Sequence, residues 1–187
     1  VGLVAWWGVW NCGYVFDDRP AIVGNRALQA FDWWGAAFGP EHQPLANRPL
    51  ACATLAFDLW CFGAGPFGPH LGNLLLHLAN GLLVLLVVRA ALRAPNLAGR
   101  YDVGRRTLVA TAVAVLWVAH PLGGDAVVYA TQRSTLLFSG CLLGALWSSL
   151  RAAGAASPSR WRALAVLAVA LGMASKEDMV LAPVLLV

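Results

Sequence analysis

The fold of this chain is decided by residues 66–92, which read PFGPHLGNLLLHLANGLLVLLVVRAAL. A membrane-spanning helix needs about 20 consecutive, mostly apolar residues. The rest of the chain has a similar composition, because 59% of its 187 residues are hydrophobic, 12% are charged and the mean hydropathy is +0.67. Soluble domains contain about 45–50% apolar and about 25% charged residues. The sequence therefore predicts an all-α, polytopic transmembrane helical bundle.

Further apolar stretches lie on both sides of this span. They predict the end of a first span in 1–16, a third span in 106–119, a fourth in 124–150, a fifth in 161–175 and the start of a sixth in 179–187. The third and fifth are short, which favours tilted or partly re-entrant segments. Because the chain starts at Val1 and stops inside an apolar run, we expect residues 1–187 to form part of a longer transmembrane domain.

Basic residues predict the orientation. The connections 93–106 and 151–162, with the flanking Arg89, contain eight basic residues and one acid, Asp102. Short loops rich in Arg and Lys stay in the cytoplasm, so both connections are predicted to be cytoplasmic and the long segment 17–65 to be external. The net charge of +4 is thus an orientation signal and does not indicate nucleic acid binding.

The external segment 17–65 contains two helix-like stretches. The first, 27–38, contains four aromatic residues and is predicted to lie flat on the bilayer, since aromatic rings favour the membrane interface. The second starts at Pro49, a residue favoured at the first position of a helix, and ends near Phe62. Twelve Arg against one Lys suggests GC-rich coding. We therefore expect a bacterial inner membrane, or the ER membrane in a eukaryote, with the active face in the periplasm or lumen.

A polar stripe follows one face of the predicted second span. It consists of His70, Asn73, His77 and Asn80. Polar residues at membrane depth face a bundle interior or a water-filled cavity, but Asn and His also form hydrogen bonds between packed helices, and the spacing alone fits both. Two histidines can bind a metal, yet no acid stands at a fixed spacing from them, so a divalent metal remains unsupported and no metal site is predicted.

An acidic pair, Asp17 and Asp18, directly follows the first apolar stretch. Adjacent carboxylates at a membrane surface can act as a general base and as the partner that positions it. The pair and the two residues that follow it, Asp17-Asp18-Arg19-Pro20, also suit a solvated turn. Spacing alone leaves both interpretations open.

Arg133 lies well inside the fourth apolar stretch. An unpaired arginine at that depth costs at least about 2.5 kcal/mol, so we expect an anionic partner: Asp125, another acid or a bound phosphate. Asp125 follows His120-Pro121 and lies two helical turns before Arg133. A structural ion pair explains the arginine equally well.

Two further cations belong to the predicted external face. Lys176, in Ser-Lys-Glu-Asp, can bind a phosphate with Glu177 orienting it, although a solvated loop fits the same residues. Arg48 precedes Pro49 on that face. Together with the acidic pair, the polar stripe of the second span, and Asp125 and Arg133 of the fourth, these residues predict a site at the bilayer surface for a substrate with an anionic head and an apolar tail.

The order of these motifs resembles a known family. The matching segments are Phe16-Asp17-Asp18, Asn47-Arg48-Pro49-Leu50, Gly65 to His77, His120-Pro121 with Asp125 and Arg133, and Ser175-Lys176-Glu177. They resemble the transmembrane and tetratricopeptide-repeat (TMTC) family and its bacterial relatives, which are glycosyltransferases of the GT-C class related to the protein O-mannosyltransferases.

The resemblance implies an enzyme that moves a sugar, often mannose, from a polyprenyl- or dolichyl-phosphate carrier to a protein Ser or Thr hydroxyl or another acceptor, such as a glycan, with inversion. It implies that Asp17 is the catalytic base with Asp18 beside it, and that Asp125 replaces the usual Glu. The implied substrate-binding residues are Arg48, His70, Asn73, His77, His120, Asp125, Arg133, Lys176 and Glu177. The lipid-linked sugar is the expected donor, and no cofactor is certain.

Two other classes of function use the same residues. A transporter or flippase for lipid-linked sugars would pass a polar head across the membrane with buried charges, and matching inverted repeats would favour it; the sequence shows no such symmetry. A non-catalytic membrane scaffold would be favoured by the loss of a motif charge, and none is clearly missing.

Overall fold

The computed structural model describes residues 2–39, 44–94, 97 and 99–185. Within these residues the chain forms helices and turns and no β-strand, which confirms the predicted all-α fold. Val1, the end of the predicted sixth stretch (186–187) and residues 95, 96 and 98 of the first predicted cytoplasmic loop lie outside the described residues.

Ten α-helices are described, and short 3-10 or π turns connect several of them. The helices are α1 (Gly2–Ala5), α2 (Arg26–Gln29), α3 (Trp33–Phe38), α4 (Pro49–Phe62), α5 (Phe67–Ala91), α6 (Val103–Ala119), α7 (Gly124–Val128), α8 (Arg133–Ala153), α9 (Ser159–Met173) and α10 (Ala182–Leu185). The 3-10 turns are Trp7–Asn11, Pro121–Gly123, Ala130–Gln132 and Glu177–Leu181, and a π turn covers Arg19–Val23.

Two described segments, Phe67–Ala91 and Ala130–Ala153, are long and apolar enough to cross a membrane. A third candidate exists only if α6 and Pro121–Val128 are counted together, and these are bent by 56°. In the stretch 1–16, predicted as the end of a first span, the described residues form a four-residue helix and then a 3-10 turn, so no continuous helix runs through it. Helix α9, with 15 residues, is shorter than a full crossing requires.

The predicted fourth span, 124–150, is wrong at its start, because the chain is extended at Tyr129 between α7 and α8. The side-chain amide of Asn73 donates to the carbonyls of Ala126 and Tyr129, and the carboxylate of Asp18 accepts from the amide of Ala130. These bonds satisfy backbone groups that a continuous helix would pair internally. Contacts from distant parts of the chain therefore decide where α8 begins.

Helices α5 and α8 lie side by side and run in the same direction. Near their starts, the guanidinium of Arg133 donates to the carbonyl of Pro69. At their ends, Arg93 and Arg151 line one cavity. We call the end that contains Pro69 and Arg133 the site end, and the end that contains Arg93 and Arg151 the arginine end. Helix α6 packs on α5, and α9 packs on α8.

Helix α4 confirms the predicted helix, because it starts at Pro49 and ends at Phe62. Its buried face forms a small core with the segments that precede it and with the turn before α8. The core residues are Ala21, Ile22, Leu28, Ala36, Ala37, Leu45, Ala51, Cys52, Leu55, Ala56, Leu59 and Ala130. The stretch 27–38 is interrupted at Phe31, whose φ is 63°. Exposed aromatic rings, among them Trp34 of α3 and Trp60 of α4, lie on the outside of this small core. Its predicted contact with the bilayer stays a prediction.

Cys52 and Cys61 in α4 provide a test of this burial and of the predicted orientation. Burial raises the pKa of the Cys52 thiol to about 11, whereas Cys61 is exposed. Since the thiolate is the reactive form, a single-cysteine variant with Cys61 should react with a membrane-impermeant maleimide at least about tenfold faster than one with Cys52. Labelling of Cys61 in spheroplasts, followed by mass shift, measures both properties. Equal rates would contradict the burial, and labelling only after lysis would contradict the orientation.

Candidate functional site

The side chain of Arg133 lies at the centre of a buried polar network at the site end. It is 2% exposed. Its Nε donates to Oδ1 of Asn73 at 2.6 Å, and its Nη2 donates to Oδ2 of Asp58 at 2.5 Å and to the carbonyl of Pro69 at 2.9 Å. Arg133 thus has an anionic partner, as predicted, and this partner is Asp58 rather than Asp125. The network joins α4, α5 and α8 at one point.

Gly72 makes this network possible. A Cβ atom at Gly72 would collide with the guanidinium of Arg133 and with the carboxylate of Asp58. Only glycine lets the backbone of α5 approach the ion pair so closely. The three elements are thus held together by an ion pair whose side chains are only 2% and 11% exposed.

The two carboxylates of the acidic pair have different surroundings. Asp18 is fully buried and accepts hydrogen bonds from the amides of Val15, Ala130 and Thr131 and from the Thr131 hydroxyl. Asp17 is exposed, and its carboxylate makes no hydrogen bond or ion pair within the described residues. Asp18 therefore holds the loop against the start of α8, and Asp17 is free to meet a ligand.

The segment around Asp17 is held in a strained conformation. Phe16 has a φ of 41°, which is rare for a bulky residue, and its ring is 81% exposed. On one side of it the Tyr14 hydroxyl donates to the carbonyl of Gly65 at 2.9 Å, and burial raises the pKa of Tyr14 to about 12, so the phenol stays a neutral donor. On the other side Asp18 is fixed. Strain of this kind persists where neighbouring contacts impose it, often at functional sites.

A cavity of about 270 Å³ opens beside this network. Its lining combines aromatic, imidazole, amide and hydroxyl groups: His77, Asn80, Trp117, His120, Leu122, Gly123, Ala126, Thr135, Leu136 and Ser139. Two predicted substrate-binding residues, His77 and His120, are thus brought to one place. A cavity with a few convergent polar groups and an apolar wall is the usual form of a small-ligand site.

His77 is fixed between two tryptophans. Its ring stacks on Trp117, with the ring centroids 4.8 Å apart, and meets the edge of Trp6 at 5.6 Å. Its Nε2 lies 3.0 Å from the carbonyl of Val118, which also accepts from the indole of Trp6. Because a carbonyl only accepts, Nε2 carries the hydrogen. These contacts hold the His77 ring in one orientation against the cavity.

Two cations meet consecutive residues in the first turn of α8. Arg48 Nη1 lies 3.4 Å from Oγ of Ser134, and Lys176 Nζ lies 3.3 Å from Oγ1 of Thr135, which lines the cavity. Their side chains are 22% and 25% exposed. Cations that are partly buried and converge on a helix start favour the binding of an anion there.

The partners of these cations differ from the prediction. Glu177 forms an ion pair with Arg48 at 3.0 Å, and Asp178 pairs with Lys176 at 3.2 Å. The reason is local, because the chain is extended at Lys176 and then turns into a 3-10 helix, which separates the Lys176 and Glu177 side chains. Hydrogen bonds from its own backbone and from Arg48 lower the pKa of Glu177. Both carboxylates are exposed, so an incoming anion can displace them.

The remaining predicted residues lie apart from the cavity. His70 is buried at the start of α5, and its Nε2 has no hydrogen-bond partner within the described chain. Asn73 supports Arg133 and the backbone at Tyr129. Asp125 is exposed in α7 and forms no ion pair with a described residue. Among the residues described, no cluster of three His, Cys, Asp or Glu could hold a metal ion.

Sequence reasoning missed Asp58 and Thr135. Asp58 is the single charged residue of α4, a helix with a buried apolar face, and this isolation was a usable signal, since a buried acid requires a cation. Thr135 gave no signal in the sequence. It gains its importance only because the chain brings Lys176 to it.

The curated proteins that are similar to this chain are named as protein O-mannosyl-transferases. The chain is 32% identical over 169 residues to Protein O-mannosyl-transferase Tmtc3 of Drosophila melanogaster, covering 81% of this chain and 18% of that protein. It is 28% identical over 191 residues to human Protein O-mannosyl-transferase TMTC3 (95% of this chain, 20% of that protein) and 28% identical over 202 residues to human TMTC4 (95% and 26%).

The chain thus spans about a fifth to a quarter of the length of these relatives. No family model matches it. No solved structure matches it. The similarity covers most of the chain.

Proposed function

We propose that this chain, a homologue of the TMTC protein O-mannosyl-transferases over most of its length, forms part of the transfer site of a membrane glycosyltransferase of the GT-C class. In this proposal the donor is a sugar on a polyprenyl- or dolichyl-phosphate, and the acceptor is a protein Ser or Thr hydroxyl or a glycan. The enzyme spans the membrane several times, and the site faces the periplasm or, in a eukaryote, the ER lumen.

The observation that carries the proposal is the convergence of Arg48 and Lys176 on the first turn of α8, next to the cavity that contains His77 and His120. A lipid phosphate carries negative charge and suits the two cations. A sugar offers hydroxyl groups and an apolar ring face, which suit imidazole and amide groups and the ring of Trp117. The apolar helix surfaces beside the cavity suit the lipid tail.

Asp17 is the proposed catalytic base of a single displacement. Its carboxylate takes the proton of the acceptor hydroxyl while that oxygen forms a bond to the anomeric carbon on the face opposite the phosphate. The bond between the anomeric carbon and the phosphate oxygen breaks, and its electron pair stays on the lipid phosphate. Attack from the opposite face inverts the anomeric configuration.

The charge that develops on the leaving phosphate is stabilised by Lys176 and Arg48. Fixed cations of this kind contribute most when they are already in place before the reaction, and here Arg48 and Lys176 already lie against the hydroxyl groups of Ser134 and Thr135 at the start of α8. Arg133 has a different part in this proposal. Because its guanidinium is enclosed by Asp58, Asn73 and Pro69, it positions the start of α8.

The direct test uses the full-length protein reconstituted in vesicles, a polyprenyl-phosphate mannose labelled in the sugar, and a Ser/Thr peptide. The proposal expects labelled peptide and free lipid phosphate in equal amounts, with the opposite anomeric configuration in the product. Movement of the lipid across the bilayer without labelled peptide would support a transporter instead. If the protein binds the lipid but neither moves it across the bilayer nor labels the peptide, the result would support a non-catalytic scaffold.

Substituting Lys176 tests the phosphate site. Lys176→Gln removes a charge-assisted hydrogen bond, which contributes about 1.5–3 kcal/mol, so kcat/KM for the lipid donor should fall about 10- to 100-fold. The matched control is Asp178→Asn, which removes the carboxylate that pairs with Lys176 and should leave kcat/KM unchanged or raise it. Equal losses in both variants would show that the loop conformation, and not the charge of Lys176, is required.

A further inference from the structure

A second cavity lies at the arginine end, away from the proposed transfer site. It has a volume of about 460 Å³ and lies between the ends of α5 and α8. Two arginines, Arg93 and Arg151, provide its charged groups. The rest of the lining is small or apolar and leaves the space open: Ala90, Ala94, Leu150, Ala153, Gly154 and Ala155.

The guanidinium of Arg151 is exposed and lies against an aromatic ring. It lies over the ring of Trp161, with 4.9 Å between the guanidinium carbon and the ring centroid, and Trp161 is in turn braced edge-on by Trp147 at 5.3 Å. Stacking uses the face of a guanidinium and leaves its N–H groups, which lie in the plane of the group, free to donate. Within the described chain neither Arg93 nor Arg151 forms an ion pair.

The surroundings of this cavity favour an anion. The two connections at this end, with Arg89, contain eight basic residues and one acid, Asp102. That acid is already occupied, because it caps α6 and lies 3.6 Å from Arg105. Helix α5 is apolar enough to cross a membrane and ends at this cavity, which therefore lies at the depth of the lipid head groups. Tryptophan is enriched at that depth.

We propose that the cavity between Arg93 and Arg151 binds the phosphodiester of an anionic membrane phospholipid. The phosphate accepts from both guanidinium groups, and the acyl chains run along the apolar surfaces of α5 and α8. Basic pockets between helices at a membrane surface recognise such head groups. The proposal does not depend on the transfer reaction or on which side of the membrane this end faces.

Spin-labelled lipids in nanodiscs test the proposal. The full-length protein is reconstituted in phosphatidylcholine with a trace of spin-labelled phosphatidylglycerol, and the immobilised fraction is compared with that of spin-labelled phosphatidylcholine. A direct ion pair formed by an exposed arginine contributes at most about fivefold to binding, and charges that make no direct contact contribute less. The Arg93→Gln/Arg151→Gln variant should therefore lower the relative affinity for phosphatidylglycerol about 10- to 25-fold, and Arg93→Lys/Arg151→Lys should retain most of it.

The matched control is Arg100→Gln/Arg162→Gln, which removes two exposed charges at the same end that do not line the cavity. This control should lower the relative affinity for phosphatidylglycerol less than about threefold. Equal losses in the two Gln variants would show diffuse surface attraction and overturn the proposal, as would wild-type protein without a preference for phosphatidylglycerol. Displacement of the spin label by millimolar inorganic phosphate would overturn it in favour of a site for soluble phosphate.

Discussion

Replacing Asp17 by asparagine should lower sugar transfer about 1,000-fold while the protein stays folded. The amide has nearly the same size as the carboxylate but cannot take a proton, and a general base contributes roughly 10²- to 10⁴-fold to a reaction. Asp17 is exposed and its carboxylate makes no hydrogen bond within the described residues, so the fold does not depend on it. The measurement is the initial rate of peptide labelling at equal amounts of folded protein.

Asp18→Asn is the matched control, because it makes the same chemical change one residue later. Asp18 accepts four hydrogen bonds while fully buried, and an amide nitrogen in that position would face N–H and O–H donors. Each unsatisfied buried group costs about 1–3 kcal/mol, so Asp18→Asn should lower the melting temperature in detergent. Its remaining activity should follow the folded fraction. Normal transfer by Asp17→Asn would exclude Asp17 as the base.

Part of this arrangement could be predicted from the sequence because it depends on local spacing. The stripe His70, Asn73, His77 and Asn80 faces the bundle interior as predicted, and all four side chains are buried. The helix starting at Pro49 follows equally from a local signal. What local spacing left open was whether the stripe lines a cavity or joins helices. The structure shows both, since His77 lines the cavity and Asn73 bonds to Arg133.

The remainder could not be predicted, because it depends on which distant segments meet. The apolar run 124–150 gives no sign of the break at Tyr129. Two hydrogen bonds stabilise this break: the Asp18 carboxylate accepts from the Ala130 amide, and the Asn73 side chain donates to the Tyr129 carbonyl. The pairing of Arg133 with Asp58 requires α4 to fold back on α5, and no spacing within either segment encodes that contact. The acidic pair shows the same limit, since adjacent residues of one type have opposite burial.

Replacing Arg133 by methionine should cause the largest loss of stability. The substitution leaves the buried carboxylate of Asp58 without a cation. It also removes the N–H groups that donate to Oδ1 of Asn73 and to the carbonyl of Pro69. Removing one partner of a buried ion pair costs about 3–5 kcal/mol. The thermal unfolding midpoint in mild detergent should therefore fall sharply. The control is Glu177→Gln, which breaks the ion pair of Arg48 with the exposed Glu177 carboxylate and should leave the midpoint nearly unchanged.

The double variant Asp58→Leu/Arg133→Met separates the charge of Arg133 from its positioning role. Exchange of a whole buried pair for apolar residues is often neutral or stabilising, so the double variant should unfold at a higher temperature than Arg133→Met alone. If Arg133 acts only by fixing the start of α8, sugar transfer should return together with stability. A double variant that is as stable as the wild type but fails to transfer would instead place the charge of Arg133 among the groups that bind the donor phosphate. A double variant less stable than both single variants would contradict the pairing itself.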